Sequence, residues 1–255
     1  MINLDADEPS TAIANLVKAK KKYGFYMDKY GHPVAFNKEA EYFLDMQFSD
    51  VIKKKNKKSS QELFFDIACL PYKKQEYMFR VSDESKKYAD EFKKRHKLRR
   101  NVVGLNMASG KRWPSKRPST RIIVDLAKKL QKKGYNLLIL GGPEEKDFYE
   151  FLKNKLHENG VKFTINNLNN SIKEFIGVVS ICDKVITTDS LAMHIAIALN
   201  KETTALFYCT PSWEIENYGK VNKITSKLLE KYFYTDEYIE ELVNSISADE
   251  MLKEF

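Results

Sequence analysis

The sequence is short of cysteine, and the few cysteines it has exclude two kinds of small stabilised domain. Cys69, Cys182 and Cys209 are the 3 cysteines among 255 residues, and they form no C-x-x-C pair. An odd, scattered set supports neither a disulfide framework nor a zinc site. We therefore expect three small buried hydrophobic residues in a reducing compartment.

Signals for export and for membrane spanning are also missing. Residues 1–8 contain acids where a signal peptide has basic residues, and no apolar core segment follows. The apolar runs at 136–140 and 191–199 are far shorter than the ~20 residues that span a bilayer. We expect a cytoplasmic protein without a transmembrane segment.

Positive charge is what the sequence has in excess, with a net charge of +8. Lysine-rich stretches at 53–58 and 93–100 supply much of it. Such charge attracts phosphates on nucleic acid, anionic lipid or nucleotide sugars, although a plain solvated surface has the same composition. No RNP-like motif, zinc-finger spacing or recognition helix accompanies it, so we expect no specific nucleic-acid partner. Peripheral association with the anionic inner face of a membrane remains an expectation.

The apolar pattern predicts a chain of two α/β domains. Apolar residues make up 43% of the sequence, which is enough for packed cores. We assign 1–100 to a partial N-terminal α/β domain, 101–235 to a C-terminal Rossmann-like domain and 236–255 to a helical tail. The tail has an apolar stripe of Ile239, Leu242, Val243 and Ile246.

Alternating strand and helix patterns indicate a parallel sheet in the second domain. Strands are predicted at 102–105, 135–140, 161–165, 184–187 and 204–208, and helices at 119–133, 143–157, 171–181 and 189–199. Ser171 and Glu174 have the spacing of a capping box, and Gly134 is a helix stop. Helices of this length make right-handed crossovers between parallel strands.

The pattern of the first domain is less regular. Its predicted elements are a strand at 2–4, a turn at 31–33, and helices at 9–22, 37–45, 59–69 and 81–100. These elements indicate helices around a sheet edge.

Ligands of an open parallel sheet bind beyond the carboxyl ends of its strands, where helix N-termini expose unpaired amides. The loop at 106–118 follows the first strand of the second domain and contains Ser109, Gly110 and Lys111. A hydroxyl, a glycine that permits close backbone approach and a cation suit a diphosphate. A solvated loop explains the same residues, and the segment is not a Walker loop.

Two further loops place acids at predicted helix starts. Glu144 and Glu145 can accept hydrogen bonds from ribose hydroxyls, or they simply interact favourably with the helix dipole. Asp189 and Ser190 begin a helix whose amides can hold a phosphate, although Asp189 also suits a plain N-cap. His194 faces either the cleft or the sheet, and a core role is the more common one. No metal-ligand cluster is present in the sequence.

Three segments taken together resemble the C-terminal domain of glycosyltransferase family 9, the heptosyltransferase-type enzymes. They are S-G-K-R-W-P at 109–114, L-G-G-P-E-E at 140–145 and T-D-S-L-A-M-H-I-A at 188–196. Residues 1–80 resemble the second half of that family's N-terminal domain. The resemblance implies a GT-B fold whose N-terminal domain lacks its first part.

The same resemblance implies an activity. A nucleoside-diphosphate sugar would be the donor, with no cofactor and no metal. The reaction would be inverting transfer of a heptose or related sugar to lipopolysaccharide or another lipid-linked surface glycan. The family's acidic general base lies in a segment without a counterpart here, so no catalytic residue is assigned. A degenerate, non-catalytic sugar-nucleotide-binding module is the alternative.

The resemblance also implies a set of donor-binding residues. The set is Ser109, Lys111, Glu144, Glu145, Asp189, Ser190, Leu191 and His194. Ser109 and Lys111 would contact the diphosphate, and Glu144 or Glu145 would contact the ribose. Asp189 and the backbone amides after it would contact the phosphate or the sugar. Leu191 stands where the family usually has glycine, which narrows the expected donor site.

Overall fold

The computed structural model describes residues 1–108, 110 and 112–253. These residues form two compact units. The first contains residues 1–76 and 213–216, and the second contains residues 77–212 and the chain from 217 onward. The division lies near residue 76 rather than near residue 100, because the helix at 83–96 packs within the second unit.

The first unit is a small α/β structure. Its strands are β1 (Ile2–Asn3), β2 (Tyr23–Met27) and β3 (Pro33–Ala35), and its helices are α1 (Glu8–Leu16), α2 (Lys38–Phe48), α3 (Asp50–Lys55) and α4 (Ser60–Ile67). β2 pairs in parallel with β1 and antiparallel with β3. Phe25, Ala40 and Ile67 form its buried core.

Several features of this unit differ from the prediction, and β3 and α3 are among the elements that were not predicted. The helix predicted at 9–22 ends at Leu16, because Val17 is extended and the lysine-rich stretch that follows offers no apolar face to bury. β2 was not predicted, because Gly24 interrupts its strand pattern. Gly24 has a φ of +92°, and a Cβ there would overlap the carbonyl oxygen of Asn3, so glycine is required beside β1.

The second unit is built on a six-stranded sheet. Its strands are β4 (Val102–Asn106), β5 (Asn136–Ile139), β6 (Thr164–Ile165), β7 (Lys184–Thr188), β8 (Glu202–Phe207) and β9 (Val221–Thr225). Their order is β6-β5-β4-β7-β8-β9, and every pair is parallel. The predicted Rossmann-like sheet is confirmed, and β9 is an additional edge strand.

Helices cover both faces of this sheet. They are α5 (Asp83–His96), α6 (Thr120–Lys132), α7 (Lys146–Glu158), α8 (Ile172–Ile181), α9 (Leu191–Ala198), α10 (Glu240–Val243) and α11 (Ala248–Met251). Within β5, Leu137 and Ile139 join the core under α6 and α7, while Leu138 joins the core under α5, α8 and α9. This alternation places apolar side chains on both faces, as a buried parallel sheet requires.

Local helix signals are confirmed in this unit. The helix predicted at 119–133 has an apolar stripe of Ile122, Ile123, Leu126, Ala127 and Leu130, and this stripe is buried in α6. Ser171 and Glu174 form the predicted capping box of α8. The segment from 236 onward is not one long helix, because Ser247 begins α11 with a capping box of its own. Its apolar side chains Leu242 and Ile246 are nevertheless buried in the core.

Two further observations concern the expectations about cysteine and membranes. Cys182 and Cys209 are buried as predicted, but the prediction for Cys69 is wrong. Cys69 follows the end of α4 with a left-handed φ of 54°, and it is exposed there. In the part of the chain that the structure describes, no helix has the length and apolarity needed to span a bilayer.

Gly177 sets the distance between α5 and α8. A Cβ at Gly177 would overlap the carbonyl oxygen of Ser85. We predict that Gly177→Ala forces these helices apart and lowers the free energy of unfolding by about 1–3 kcal/mol, as overpacking does. Urea denaturation followed by circular dichroism measures the change.

Gly142→Ala is the matched control, because a Cβ there meets only Glu145 Oε2, at 3.4 Å. We expect this variant to stay within about 0.5 kcal/mol of the unsubstituted protein. Equal stability of the two variants would contradict the close-contact explanation.

Candidate functional site

The loops after β4, β5 and β7 line one cleft at the carboxyl edge of the sheet, with a volume of about 590 Å³. Six of the predicted donor-binding residues line it: Glu144, Glu145, Asp189, Ser190, Leu191 and His194. The other two, Ser109 and Lys111, lie outside the described residues. The cleft also contains Asn106, Lys116 and Asn170, which were not in the predicted set.

Asn106, the last residue of β4, joins three strand ends with one side chain. Its Nδ2 donates to the carbonyl oxygen of Leu140, after β5, at 2.9 Å. Its Oδ1 accepts from the Ser190 hydroxyl at 2.8 Å and from the Thr187 hydroxyl, near the end of β7, at 3.3 Å. Asn106 is 6% exposed, so these bonds form away from water. The buried amide therefore fixes the relative positions of the three loops.

The Ser190 side chain bonds to Asn106 rather than capping its own helix. Ser190 is the N-cap residue of α9, but its side chain makes no capping hydrogen bond. The amides of Leu191 and Ala192 have no acceptor among the described residues, and both residues line the cleft. Free amides at a helix N-terminus attract anions. α9 therefore presents a phosphate-compatible end to the cleft.

Asp189 is not a plain N-cap, because its carboxylate forms an ion pair with Lys116. Lys116 Nζ lies 2.7 Å from Asp189 Oδ2. The same oxygen accepts from the Thr210 hydroxyl at 2.9 Å. Both charged side chains are largely buried, with exposures of 9% for Lys116 and 19% for Asp189.

The two adjacent glutamates have different surroundings. Glu145 Oε1 accepts from the backbone amide of Gly110 at 2.7 Å, which ties the loop after β4 to the turn after β5. Gly110 has a φ of +76°, a conformation that favours glycine. The Glu144 carboxylate has no hydrogen-bond or ion-pair partner within residues 1–108, 110 and 112–253. Among these residues, Glu144 is therefore the acid of the pair that is not engaged.

The turn after β5 is held rigidly. Asn166 accepts from the Gly141 amide at 2.8 Å and donates to the Gly141 carbonyl oxygen at 3.0 Å. The Tyr149 hydroxyl donates to the Leu140 carbonyl oxygen at 2.6 Å. Burial raises the pKa of Tyr149, so this hydroxyl stays protonated as a donor. A Cβ at Gly141 would overlap the Tyr149 ring, which explains the glycine.

His194 faces the cleft rather than only the core. Its Nδ1 lies 3.5 Å from the Tyr77 hydroxyl. Burial lowers the pKa of His194 from its ordinary value, Asp189 opposes the change and Lys116 adds to it. The imidazole is thus neutral near pH 7, with one nitrogen that donates a hydrogen bond and one that accepts.

Sequence reasoning missed Asn106, Lys116 and Asn166. Asn106 and Asn166 follow or end predicted strands, so their places at the sheet edge were a usable signal. Lys116 had no such signal, because its partner Asp189 is distant in sequence. Among the residues that the structure describes, no group of three or more histidine, cysteine or acidic side chains could hold a metal ion.

The fold and cleft define a Rossmann-like α/β protein with an anion-compatible edge. The family model for glycosyltransferase family 9 (heptosyltransferase) matches residues 1–237. The chain therefore belongs to glycosyltransferase family 9.

Individual relatives agree with this assignment. The lipooligosaccharide heptosyltransferase 2 of Haemophilus influenzae is 29% identical over 105 residues. That segment is 41% of this chain but spans only 29% of the relative's length.

Two solved structures share the fold. The family 9 glycosyl transferase from Veillonella parvula has a TM-score of 0.70 at 18% identity, over 99% of this chain and 71% of its own. The E. coli ADP-heptose lps heptosyltransferase II has a TM-score of 0.58 at 19% identity, over 75% of this chain and 59% of its own. The predicted α/β fold class is confirmed by these matches.

The Asn106 bonds generate a stability prediction. Asn106→Ala leaves the Ser190 hydroxyl and the Leu140 carbonyl without this buried partner, so we expect a loss of about 1–3 kcal/mol in the free energy of unfolding. Urea denaturation measures it. Asn136→Ala is the control, because the Asn136 side chain donates one hydrogen bond, to the Arg100 carbonyl oxygen, at an exposed position. A change at Asn106 no larger than that of the control would show that the amide does not hold the loops.

Proposed function

We propose that this chain binds the nucleoside-diphosphate sugar of a glycosyltransferase that transfers a heptose or related sugar. The acceptor is lipopolysaccharide or another surface glycan, and transfer proceeds with inversion and without a metal. One observation carries the proposal: the α9 amides, Lys116 and the Glu144 carboxylate line a single cleft at the strand ends. This combination suits a diphosphate attached to a ribose.

The chemistry requires stabilisation of the departing diphosphate. As the bond from the sugar to phosphate breaks, negative charge grows on the phosphate oxygens. The amides of Leu191 and Ala192, which have no acceptor among the described residues, can donate to those oxygens without reorganising. Lys111, through the family resemblance, is a further cation for this group, and Glu144 accepts from the ribose hydroxyls.

The names of the relatives suggest which substrates to test first. A lipooligosaccharide heptosyltransferase and an ADP-heptose heptosyltransferase are among them. ADP-heptose is accordingly the first donor to try, and a lipid-linked glycan core is the first acceptor.

Binding without transfer is the second candidate function, and the engaged acids of the cleft favour it. Asp189 is paired with Lys116 through Oδ2, and Glu145 is bonded to Gly110 through Oε1. Two of the three carboxylates of the cleft therefore have protein partners that account for them without a role in sugar transfer. Tight ADP binding with no sugar transfer, even when the family's N-terminal half is supplied separately, would support this candidate.

The donor-binding proposal predicts a specific loss of affinity. We expect the chain to bind ADP in calorimetry and Lys111→Met to weaken binding by about tenfold or more, because a charge-assisted bond to phosphate is worth about 1.5–3 kcal/mol. Lys132→Met, an exposed position on α6, is the matched control and should leave affinity unchanged. Absence of binding to ADP, UDP, GDP and their sugars would exclude the proposal.

Peripheral membrane association is part of the same proposal, because a lipid-linked acceptor lies at a bilayer surface. In the first unit Phe48 is 84% exposed and Val51 is 63% exposed. Val51, Lys54 and Lys55 are three and four residues apart on α3, so they share one face. Exposed apolar residues followed closely in the chain by lysines are typical of segments that bind anionic interfaces.

The exposed segment from Phe48 to Lys55 gives a further prediction. We expect binding to vesicles containing phosphatidylglycerol and not to pure phosphatidylcholine vesicles. Phe48→Ser or the pair Lys54→Glu and Lys55→Glu should weaken it by about tenfold. Exposed matched controls are Tyr30→Ser and the pair Lys132→Glu and Lys133→Glu. Equal effects from test and control variants in cosedimentation would assign the binding to net charge alone.

A further inference from the structure

We propose that Lys116 is a positioning residue of the donor cleft: its ammonium neutralises Asp189 and orients that carboxylate so that a nucleoside diphosphate can bind beside it. This inference rests on the proposed donor-binding function. It goes beyond that function by assigning a task to a lysine outside the three family-like segments.

The geometry directs both protein partners of Asp189 to one of its oxygens. Lys116 Nζ and the Thr210 hydroxyl meet at Oδ2, at 2.7 Å and 2.9 Å. Oδ1 has no partner among the described residues, although Asp189 lines the cleft. The pair therefore fixes the plane of the carboxylate and leaves one oxygen for a ligand hydroxyl.

Lys116 lies in a turn that is anchored by its neighbours. It ends the short 3-10 turn Pro114–Lys116, and its ammonium lies 4.9 Å from the centre of the Trp113 ring. The neighbouring Ser115 hydroxyl donates to the Glu237 carbonyl oxygen at 2.7 Å and accepts from the Ile239 amide at 2.7 Å. These bonds fix the backbone turn that carries Lys116.

The charge balance of the cleft explains why this pair matters for binding. Glu144, Glu145 and Asp189 are three carboxylates on its lining, and Lys116 lines it with them. Arg117 lies near Glu145, whereas Lys116 is the cation paired with Asp189. In a poorly solvated site an uncompensated carboxylate repels an approaching phosphate strongly. Lys116 removes this repulsion at Asp189, next to the α9 amides.

A purely structural ion pair is the competing explanation. Loss of either partner of a buried pair destabilises a protein whatever its ligand. The electrostatic role predicts something different. Removing the Asp189 charge in a Lys116 variant should restore the nucleotide affinity that the loss of Lys116 abolishes. A double-mutant cycle on ADP affinity separates the two.

The experiment measures ADP binding by calorimetry for the unsubstituted chain and for Lys116→Met, Asp189→Asn and their combination. We expect Lys116→Met to weaken ADP binding by about thirtyfold and the double variant to recover at least tenfold of that loss. Lys116→Arg, which keeps the charge, should bind within about threefold of the unsubstituted chain. Circular dichroism confirms folding of each variant.

Several outcomes overturn the inference. Unchanged affinity in Lys116→Met is one, and a double variant no tighter than Lys116→Met is another. Should Lys116→Met fail to fold, Asp189→Asn alone decides: it leaves an unpaired cation and should tighten ADP binding, and weaker binding overturns the inference. If the unsubstituted chain does not bind ADP, the proposed function is overturned as well. If it binds ADP and all the variants bind with the same affinity, only the role of Lys116 is excluded.

Discussion

The buried side chain of Asn106 is the contact on which the geometry of the cleft depends. One amide bonds to the chain after β5 and to two hydroxyls at the end of β7. Backbone hydrogen bonds align the strands, but they do not set the direction in which each loop leaves the sheet. Because Asn106 satisfies donor and acceptor groups from both neighbours, the loops leave the sheet in one fixed arrangement.

This arrangement divides the polar groups of the cleft into those that build it and those left for a ligand. The Ser190 hydroxyl, the Asp189 Oδ2 and the Glu145 Oε1 are all engaged with protein partners. Within residues 1–108, 110 and 112–253, Glu144 and the first amides of α9 have no such partner. A site that binds a polyanion gains from this division, because the engaged acids shape the walls while their charge is compensated.

The sequence predicted what depends on near neighbours and failed where distant residues decide. The capping box of Ser171, the stripe of α6 and the parallel sheet follow from local spacing, and all are present. The three loops were also expected at one sheet edge, because parallel strands end on the same side. The role of Lys116 was missed because it depends on Asp189, a residue far along the chain. Strand β2 was missed for a local reason, because Gly24 interrupts its pattern.

The C-terminal segment shows how such distant contacts reach the cleft. Leu242 and Ile246 are buried with α6, so the segment is bound to the second unit by apolar packing. That packing brings the backbone at Glu237 and Ile239 to the Ser115 hydroxyl, which anchors the turn bearing Lys116. The orientation of Asp189 therefore depends on hydrophobic burial at the far end of the sequence. Weakened packing there would loosen the ion pair before it changed the sheet, because backbone hydrogen bonds hold the strands independently.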